Sequence, residues 1–367
     1  MTTITSPSGF ALGRAAAEPS VHLIGLGAAT PEVSWPQPVI ADALASAWNL
    51  QGADLERWHR ISAGTSIERR HSVMPLEEVL GLSTRMRMEA YERCSGPLAA
   101  RAAAEALRRG GVAAEEVTEL IVVSCTGFSA PGLDVALVES LGLRPTVRRT
   151  LIGFMGCFGA VSGLRTAVGA CSADRRAVAL VVCLELCSLH LRADRSVQSQ
   201  VAGALFADGA AAAVLTAGLR GGGAARGSLG RVTLGGSLLL LEGRDWMTWR
   251  ITDTGFAMTL TRDVPPAIRR HLGAFVATKT SRRPACFVVH PGGPGILDAV
   301  DEALGLEGER GIEVAWEVLR QYGNMSSATL LFVLAETIRR GHRRPALLLA
   351  FGPGLTIESL TVLAAPE

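Results

Sequence analysis

The stretch Gly153-Phe154-Met155-Gly156-Cys157-Phe158-Gly159-Ala160 opens an apolar helix pattern that runs to about Ala170. A strand pattern at 178–185 begins about twenty residues after Cys157. A second stretch, Tyr322-Gly323-Asn324-Met325-Ser326-Ser327, opens another apolar helix pattern, which runs to about Arg339. A strand pattern at 346–351 follows it at a similar distance. One helix–strand unit used twice, each time with glycine before a reactive polar residue, reads as an internal duplication. Glycine before a helix is common, so spacing alone also admits coincidence.

Outward from these two stretches, short apolar runs at 21–26, 120–124, 178–185, 211–215, 287–290, 346–351 and 357–362 read as strands. Stretches at 40–48, 83–107, 132–141, 197–206, 264–277 and 295–304 read as helices, with a break expected at Pro97. The alternation predicts α/β layers. Glycines 218, 221, 222, 223, 227 and 230 mark a linker over 218–230. The expected organisation is a loose arm at 1–20, a first half at 21–220 and a second half at 230–367.

The 367 residues suffice for a large core, and 48% hydrophobic against 19% charged residues excludes disorder as the dominant state. A net charge of +2 gives no reason to expect a nucleic-acid partner. The longest apolar run, 177–187, is interrupted by Glu185 and falls short of the roughly 18 residues a membrane span needs. The first twenty residues have neither a basic start nor an apolar segment, so no signal peptide is expected. Seven cysteines without CxxC spacing suit a reducing compartment and a cytoplasmic location. Lys279 is the sole lysine among 36 basic residues, which reads as the base-composition bias of a GC-rich bacterial genome.

Cys157 carries the clearest chemical signal. At a helix start, unpaired N–H groups and the helix dipole favour an anion, and a thiolate is one. A nucleophilic thiol needs a base. Of seven histidines, His290 ends a strand run and precedes Pro291-Gly292-Gly293-Pro294-Gly295. The carboxyl end of a strand is where α/β sheets place their sites. His22 reads as structural; His59, His71, His271 and His342 read as solvated; His190 follows an apolar run and could line a cavity. Asn324 can donate to a developing oxyanion, or serve as an ordinary N-cap. Gly25-Leu26-Gly27 lacks the third glycine of a dinucleotide fingerprint, and no metal-ligand spacing is present. The arginines at 57, 60, 69 and 70 suit either a phosphate grip or a solvated face.

Taken in order, Gly156-Cys157-Phe158-Gly159, His290-Pro291-Gly292-Gly293-Pro294, Tyr322-Gly323-Asn324-Met325-Ser326-Ser327 and Phe351-Gly352-Pro353-Gly354-Leu355-Thr356-Ile357-Glu358 resemble the type III polyketide synthases, the chalcone and stilbene synthase family. The resemblance covers the chain from about residue 20 to its end. It implies a thiolase-like α/β fold of two duplicated αβαβα halves, assembled as a homodimer. It implies a Cys157-His290-Asn324 triad that uses acyl-CoA and malonyl-CoA directly, with no metal and no cofactor. Phe206 and Met258 match gatekeeping positions between a CoA tunnel and a cavity. Arg57 and Arg60 match CoA-binding positions, and Gly64 stands where a third basic residue is usual. Cys125, Cys187 and Ser326 match substrate-cavity positions, and Ala130 stands where plant members send a methionine across the dimer. Trp249 replaces a cavity glycine, and residues 249–256 resemble bacterial members that make alkylpyrones or alkylresorcinols. The implied reaction is iterative decarboxylative condensation of malonyl-CoA onto a cysteine-bound, aliphatic starter, closing to a pyrone or resorcinol. A carrier-protein-dependent ketoacyl synthase III-like enzyme shares the same triad logic. A non-catalytic scaffold is a further alternative, and the intact triad argues against it.

Overall fold

The structure, a computed structural model, describes residues 20–192, 194–217, 227–280, 283–306, 312–342 and 344–364. The first elements are β1 (Val21–Ala29), β2 (Ser34–Pro36), α1 (Gln37–Ala47), α2 (Gly52–Ala63), β3 (Arg69–His71), α3 (Leu76–Val79) and α4 (Thr84–Gly110). Next come β4 (Glu119–Ser124), α5 (Leu133–Leu141), β5 (Arg148–Gly153), α6 (Gly159–Ala173), β6 (Val178–Leu186), α7 (Val197–Leu205) and β7 (Asp208–Ala217). The second part holds β8 (Gly230–Leu239), β9 (Met247–Thr252), β10 (Gly255–Leu260), α8 (Val264–Ala277), β11 (Cys286–Val289) and α9 (Pro294–Leu304). It ends with α10 (Ile312–Tyr322), α11 (Ser327–Arg339), β12 (Ala346–Gly352) and β13 (Thr356–Leu363).

One mixed sheet runs in the order β11-β12-β13-β8-β1-β7-β6-β4-β5. In the first copy β4 lies parallel to β6, β6 antiparallel to β7, and β7 antiparallel to β1. In the second copy β11 lies parallel to β12, β12 antiparallel to β13, and β13 antiparallel to β8. Order and sense repeat, so the duplication is written in the topology. A short β1–β8 pairing joins the copies, and β5 extends the first as an edge strand.

The helices α6 and α11 form the middle layer. α6 packs on β4, β6 and β7 and also on β8 and β13; α11 packs on β1, β6 and β7 and also on β11 and β12. Strands buried on both faces read as continuous apolar runs, which is why β6, β7 and β12 stand out in the sequence. α4 covers the outer face of the first copy through Ala99, Ala102, Ala103 and Ala106. That approach explains Gly25-Leu26-Gly27: a Cβ at Gly25 would lie 2.2 Å from Ala106 O, and one at Gly27 2.1 Å from Ala102 O. This is the thiolase-like, duplicated α/β arrangement.

Two expectations meet a different outcome here. α4 runs unbroken through Pro97. Gly96, just before it, has no Cβ to crowd the proline ring, and the flanking Ser95 and Leu98 are buried. Residues 218–226 of the expected linker, and residues 1–19 of the expected arm, lie outside the described residues. Among the described residues no helix is long and apolar enough to cross a membrane.

Candidate active site

Cys157 sits in the short turn Gly156–Phe158 between the end of β5 and α6. Its side chain is buried beside the side chains of Ser326 and Asn324, which favour its charged form. Asn324 precedes α11, so the matching helix starts of the two copies bring these residues together.

Asn324 is held from every side. Its Nδ2 donates to Gly292 O at 3.2 Å, and its Oδ1 accepts from Ser326 N–H at 2.8 Å. Its backbone N–H donates to Leu205 O at 3.0 Å, and its carbonyl accepts from Ala207 N–H at 2.9 Å. Gly292 in turn donates to His290 O at 3.0 Å. The His290 backbone is pinned to β12 through Leu349 O at 2.8 Å. The residue is 1% exposed, yet neither ring nitrogen has a hydrogen-bond partner among the described residues. A buried imidazole without partners is costly, and such orphans are kept where chemistry uses them.

Burial sets the charge state. It pushes the Cys157 thiol up to about 11, against the pull of Ser326 and Asn324. The sequence-level expectation of a depressed thiol therefore does not hold for the resting site: the desolvated turn outweighs the helix start. Burial also brings His290 down to about 3, so its imidazole rests neutral. A thiolate–imidazolium pair has no net charge, which offsets part of the cost of burying either ion alone.

A hollow of about 30 Å³ lies against Cys157, lined by Cys125, Cys187, Phe206, Trp249, Met258 and Pro353. A second hollow of about 30 Å³ is lined by Arg70, Ser188, His190 and Phe256 and shares Cys187, Phe206, Trp249 and Met258 with the first. Trp249 and Met258 face each other across the β9–β10 hairpin. The Trp249 indole donates to Cys125 O at 2.8 Å and meets His190 and Phe256 edge-on. His190 is neutral, brought to about 3 by burial. It bonds Thr126 O at 2.6 Å and accepts from Phe256 N–H at 3.1 Å.

A wider cleft of about 440 Å³ runs along α7 and the start of α9, lined by Val197, Val201, Leu205, Arg262 and 292–296. It reaches Gly292, whose carbonyl Asn324 holds. Arg57 and Arg60 lie on α2, which packs on α7. Arg57 pairs with Asp54 at 2.9 Å and donates to Gln200 at 3.3 Å, while Arg60 is exposed.

Two further residues stand here, and motif reading does not single out the first. Glu185 is fully buried and accepts from Cys125 N–H at 2.9 Å, Thr126 Oγ1 at 2.8 Å and Ser327 Oγ at 2.5 Å. Burial pushes it up to about 7. Its signal in the sequence is a lone acid inside the run 177–187. Arg70, expected with 57, 60 and 69 in a phosphate grip or on a solvated face, is not solvated: it is buried behind Phe206, whereas its neighbour Arg69 is exposed.

Comparison with known proteins settles the family. The profile of chalcone and stilbene synthases, N-terminal domain, matches residues 11–219, and that of the C-terminal domain matches residues 236–366. The chain belongs to the chalcone and stilbene synthase family. As a member it is a type III polyketide synthase, an acyltransferase. It is 33% identical over 342 residues to a 1,3,6,8-tetrahydroxynaphthalene synthase of Streptomyces peucetius subsp. caesius, covering 90% of this chain and 89% of that one. It is 31% identical over 357 residues to the alpha-pyrone synthesis polyketide synthase-like Pks18 of Mycobacterium tuberculosis, covering 92% and 89%. Among solved structures, the C-terminal type III polyketide synthase domain of Steely1 from Dictyostelium superposes with a TM-score of 0.86 at 26% identity, covering 95% of this chain and all of that one. A polyketide synthase from the brown alga Ectocarpus siliculosus gives 0.85 at 26% identity, covering 94% and 98%.

Proposed function

We propose that this synthase condenses malonyl-CoA repeatedly onto an acyl starter bound at Cys157 and closes the chain to a pyrone or resorcinol-type product. The first half, 21–220, supplies the nucleophile, and the second, 230–367, supplies His290 and Asn324. What supports this reading is that Asn324 lies beside Cys157 and is tied through Gly292 to the backbone of His290, whose buried ring has no hydrogen-bond partner among the described residues.

His290 takes the Cys157 proton as the sulfur attacks the starter thioester; the CoA thiolate leaves and receives a proton. Malonyl-CoA then places its thioester oxygen toward His290 and Asn324. Loss of carbon dioxide moves an electron pair onto that oxygen as an enolate, which preorganised donors stabilise. The enolate carbon attacks the Cys157 thioester, forming a carbon–carbon bond and releasing the cysteine sulfur for the next round. The cleft beside 292–296 is the route for the CoA arm, with Arg57 and Arg60 on the α2 side for its phosphates. Phe206 and Met258 gate the cavity, which Cys125, Cys187, Trp249 and Ser326 bound. An aliphatic starter suits a cavity narrowed by Trp249.

A homodimer fits the edge strand β5, whose outer side pairs with no strand among the described residues. Leu151, Phe128 and Phe154 beside it are exposed. Such an edge invites a partner.

The test is Cys157→Ala, incubated with acyl-CoA starters and malonyl-CoA. The expected result is no covalent acyl-enzyme by mass spectrometry and no polyketide, with carbon dioxide release from malonyl-CoA retained. Polyketide formation by that variant overturns the covalent mechanism. Strict dependence of the wild type on carrier-bound malonate overturns the direct use of CoA esters.

A further inference from the structure

The last turn of a helix leaves its carbonyls without helical donors. At the end of α7 three successive carbonyls are claimed by three different partners. Gln37 Nε2 donates to Ala204 O at 2.9 Å, Asn324 N–H to Leu205 O at 3.0 Å, and an Arg70 terminal nitrogen to Phe206 O at 2.6 Å. Arg70 and Gln37 act as one unit, since Arg70 Nε donates to Gln37 Oε1 at 2.9 Å. The Phe206–Asn324 backbone bridge lies within this clamp.

Arg70 also touches the turn that aims Asn324. A Cβ on Gly323 would lie 3.0 Å from Arg70 Cγ and 3.1 Å from its Cδ. The guanidinium is 4% exposed, lines the hollow beyond Phe206 and keeps one terminal nitrogen without a hydrogen-bond partner. Its countercharge is Asp208, two residues past Phe206, whose carboxylate accepts from Val73 N–H and from both the N–H and hydroxyl of Ser188. Burying an arginine without a direct carboxylate contact is costly, and an apolar side chain would fill the space more cheaply. What an apolar side chain cannot do is hold the Phe206 peptide and press on the Gly323 turn together.

We infer that Arg70 is a positioning residue: it fixes, at once, the Phe206 ring between the two hollows and the Asn324 carboxamide that faces Cys157. The inference rests on the roles given to Cys157 and Asn324 under the proposed function. It predicts that Arg70 governs the steps that need Asn324 and spares the loading of Cys157.

The experiment compares wild type, Arg70→Met, Arg70→Lys and Arg70→Ala, the last with and without added guanidinium. Three rates are read: single-turnover acylation of Cys157, decarboxylation of malonyl-CoA, and polyketide formation. In Arg70→Met, kcat for decarboxylation is expected to fall roughly 100-fold, the loss associated with an ångström-scale misplacement. KM for malonyl-CoA and the acylation rate should change little, and guanidinium should restore Arg70→Ala. Unchanged decarboxylation in folded Arg70→Met overturns the inference. So does an equal fall in acylation and decarboxylation that guanidinium does not reverse, because that is the mark of a merely structural role. Should the Met and Ala variants fail to fold, Arg70→Lys, which keeps the charge, decides by the same split. A wild type that ignores malonyl-CoA overturns the reading of the site and this inference with it. An active wild type with insensitive Arg70 variants overturns this inference alone.

Discussion

The turn before α6 and the turn before α11 occupy matching places in the two copies of the fold, yet they hold their polar residues differently. Both turns use a left-handed glycine, Gly156 at φ 68° and Gly323 at φ 71°. After Gly156, the Cys157 sulfur borders an open hollow. After Gly323, Asn324 is tied by both ends of its carboxamide and by both of its backbone polar groups. A nucleophile must make and break bonds and needs room. An oxyanion donor is useful to the extent that it is already in place. With the roles proposed for Cys157 and Asn324, the duplicated scaffold supplies one location twice for opposite tasks.

The strongest way to break the comparison is Asn324→Ala. Removing one preorganised donor costs about 10²- to 10³-fold in rate. Decarboxylation and polyketide formation should fall by that much while Cys157 still accepts an acyl group. Equal loss of both steps would mean that the two turns share one task.

Glu185 links the two turns, since it holds Ser327 at the start of α11 and Cys125 and Thr126 beside Cys157. Burial raises it from 4.5 to about 7. Between those values the native state keeps a proton that the unfolded chain has released. Stability therefore falls as pH rises across that window and is level above it. The effect is on the order of 3 kcal/mol for a fully buried group. Glu185→Gln carries no such proton. The stability of the variant, read from denaturant unfolding between about pH 5 and about pH 8, should fall less with rising pH than that of wild type, since Asp208, also raised by burial, titrates in both. Identical slopes would remove Glu185 from the account.

Much of this was legible because burial on two faces writes itself as long apolar runs. The strands at 178–185 and 346–351 and the paired glycine turns are of that kind. β5 is not, because its residues Arg148 to Leu151 are exposed at the sheet edge. β8 breaks its pattern with Gly235 and Gly236, where a Cβ at Gly235 would lie 2.4 Å from Ser359 O. The hairpin β9–β10 has mixed, half-buried faces and offers no clean alternation. α10 does carry a helical signal, with Ile312, Ala315, Val318 and Leu319 on one face. Cys157, His290 and Asn324 were readable as candidates, whereas the role proposed for Arg70 depends on residues 37, 206 and 323, which no local pattern connects to it. The resting charge of Cys157 was misjudged from sequence because desolvation is a property of the packed site.

The comparison is sharpened last by Gly156→Ala against Gly323→Ala. Both substitutions place a side chain at positive φ, at a shared cost of about 1–2 kcal/mol. They differ in what the new methyl group meets. At 156 it would lie 2.3 Å from Cδ and 2.8 Å from Cγ of Pro353, a ring fixed in the turn between β12 and β13. At 323 it would meet the Arg70 methylenes at 3.0 and 3.1 Å, which can give by a few tenths of an ångström, and the Leu205 carbonyl oxygen at 3.1 Å, all farther off than those two Pro353 carbons are at 156. Overpacking against an unyielding neighbour costs about 1–3 kcal/mol more, so Gly156→Ala should unfold at the lower denaturant concentration by that margin. The rates should separate as well, with acylation slowed in Gly156→Ala and decarboxylation slowed in Gly323→Ala. If both variants slowed the same step, the separate tasks proposed for the two turns would have no basis.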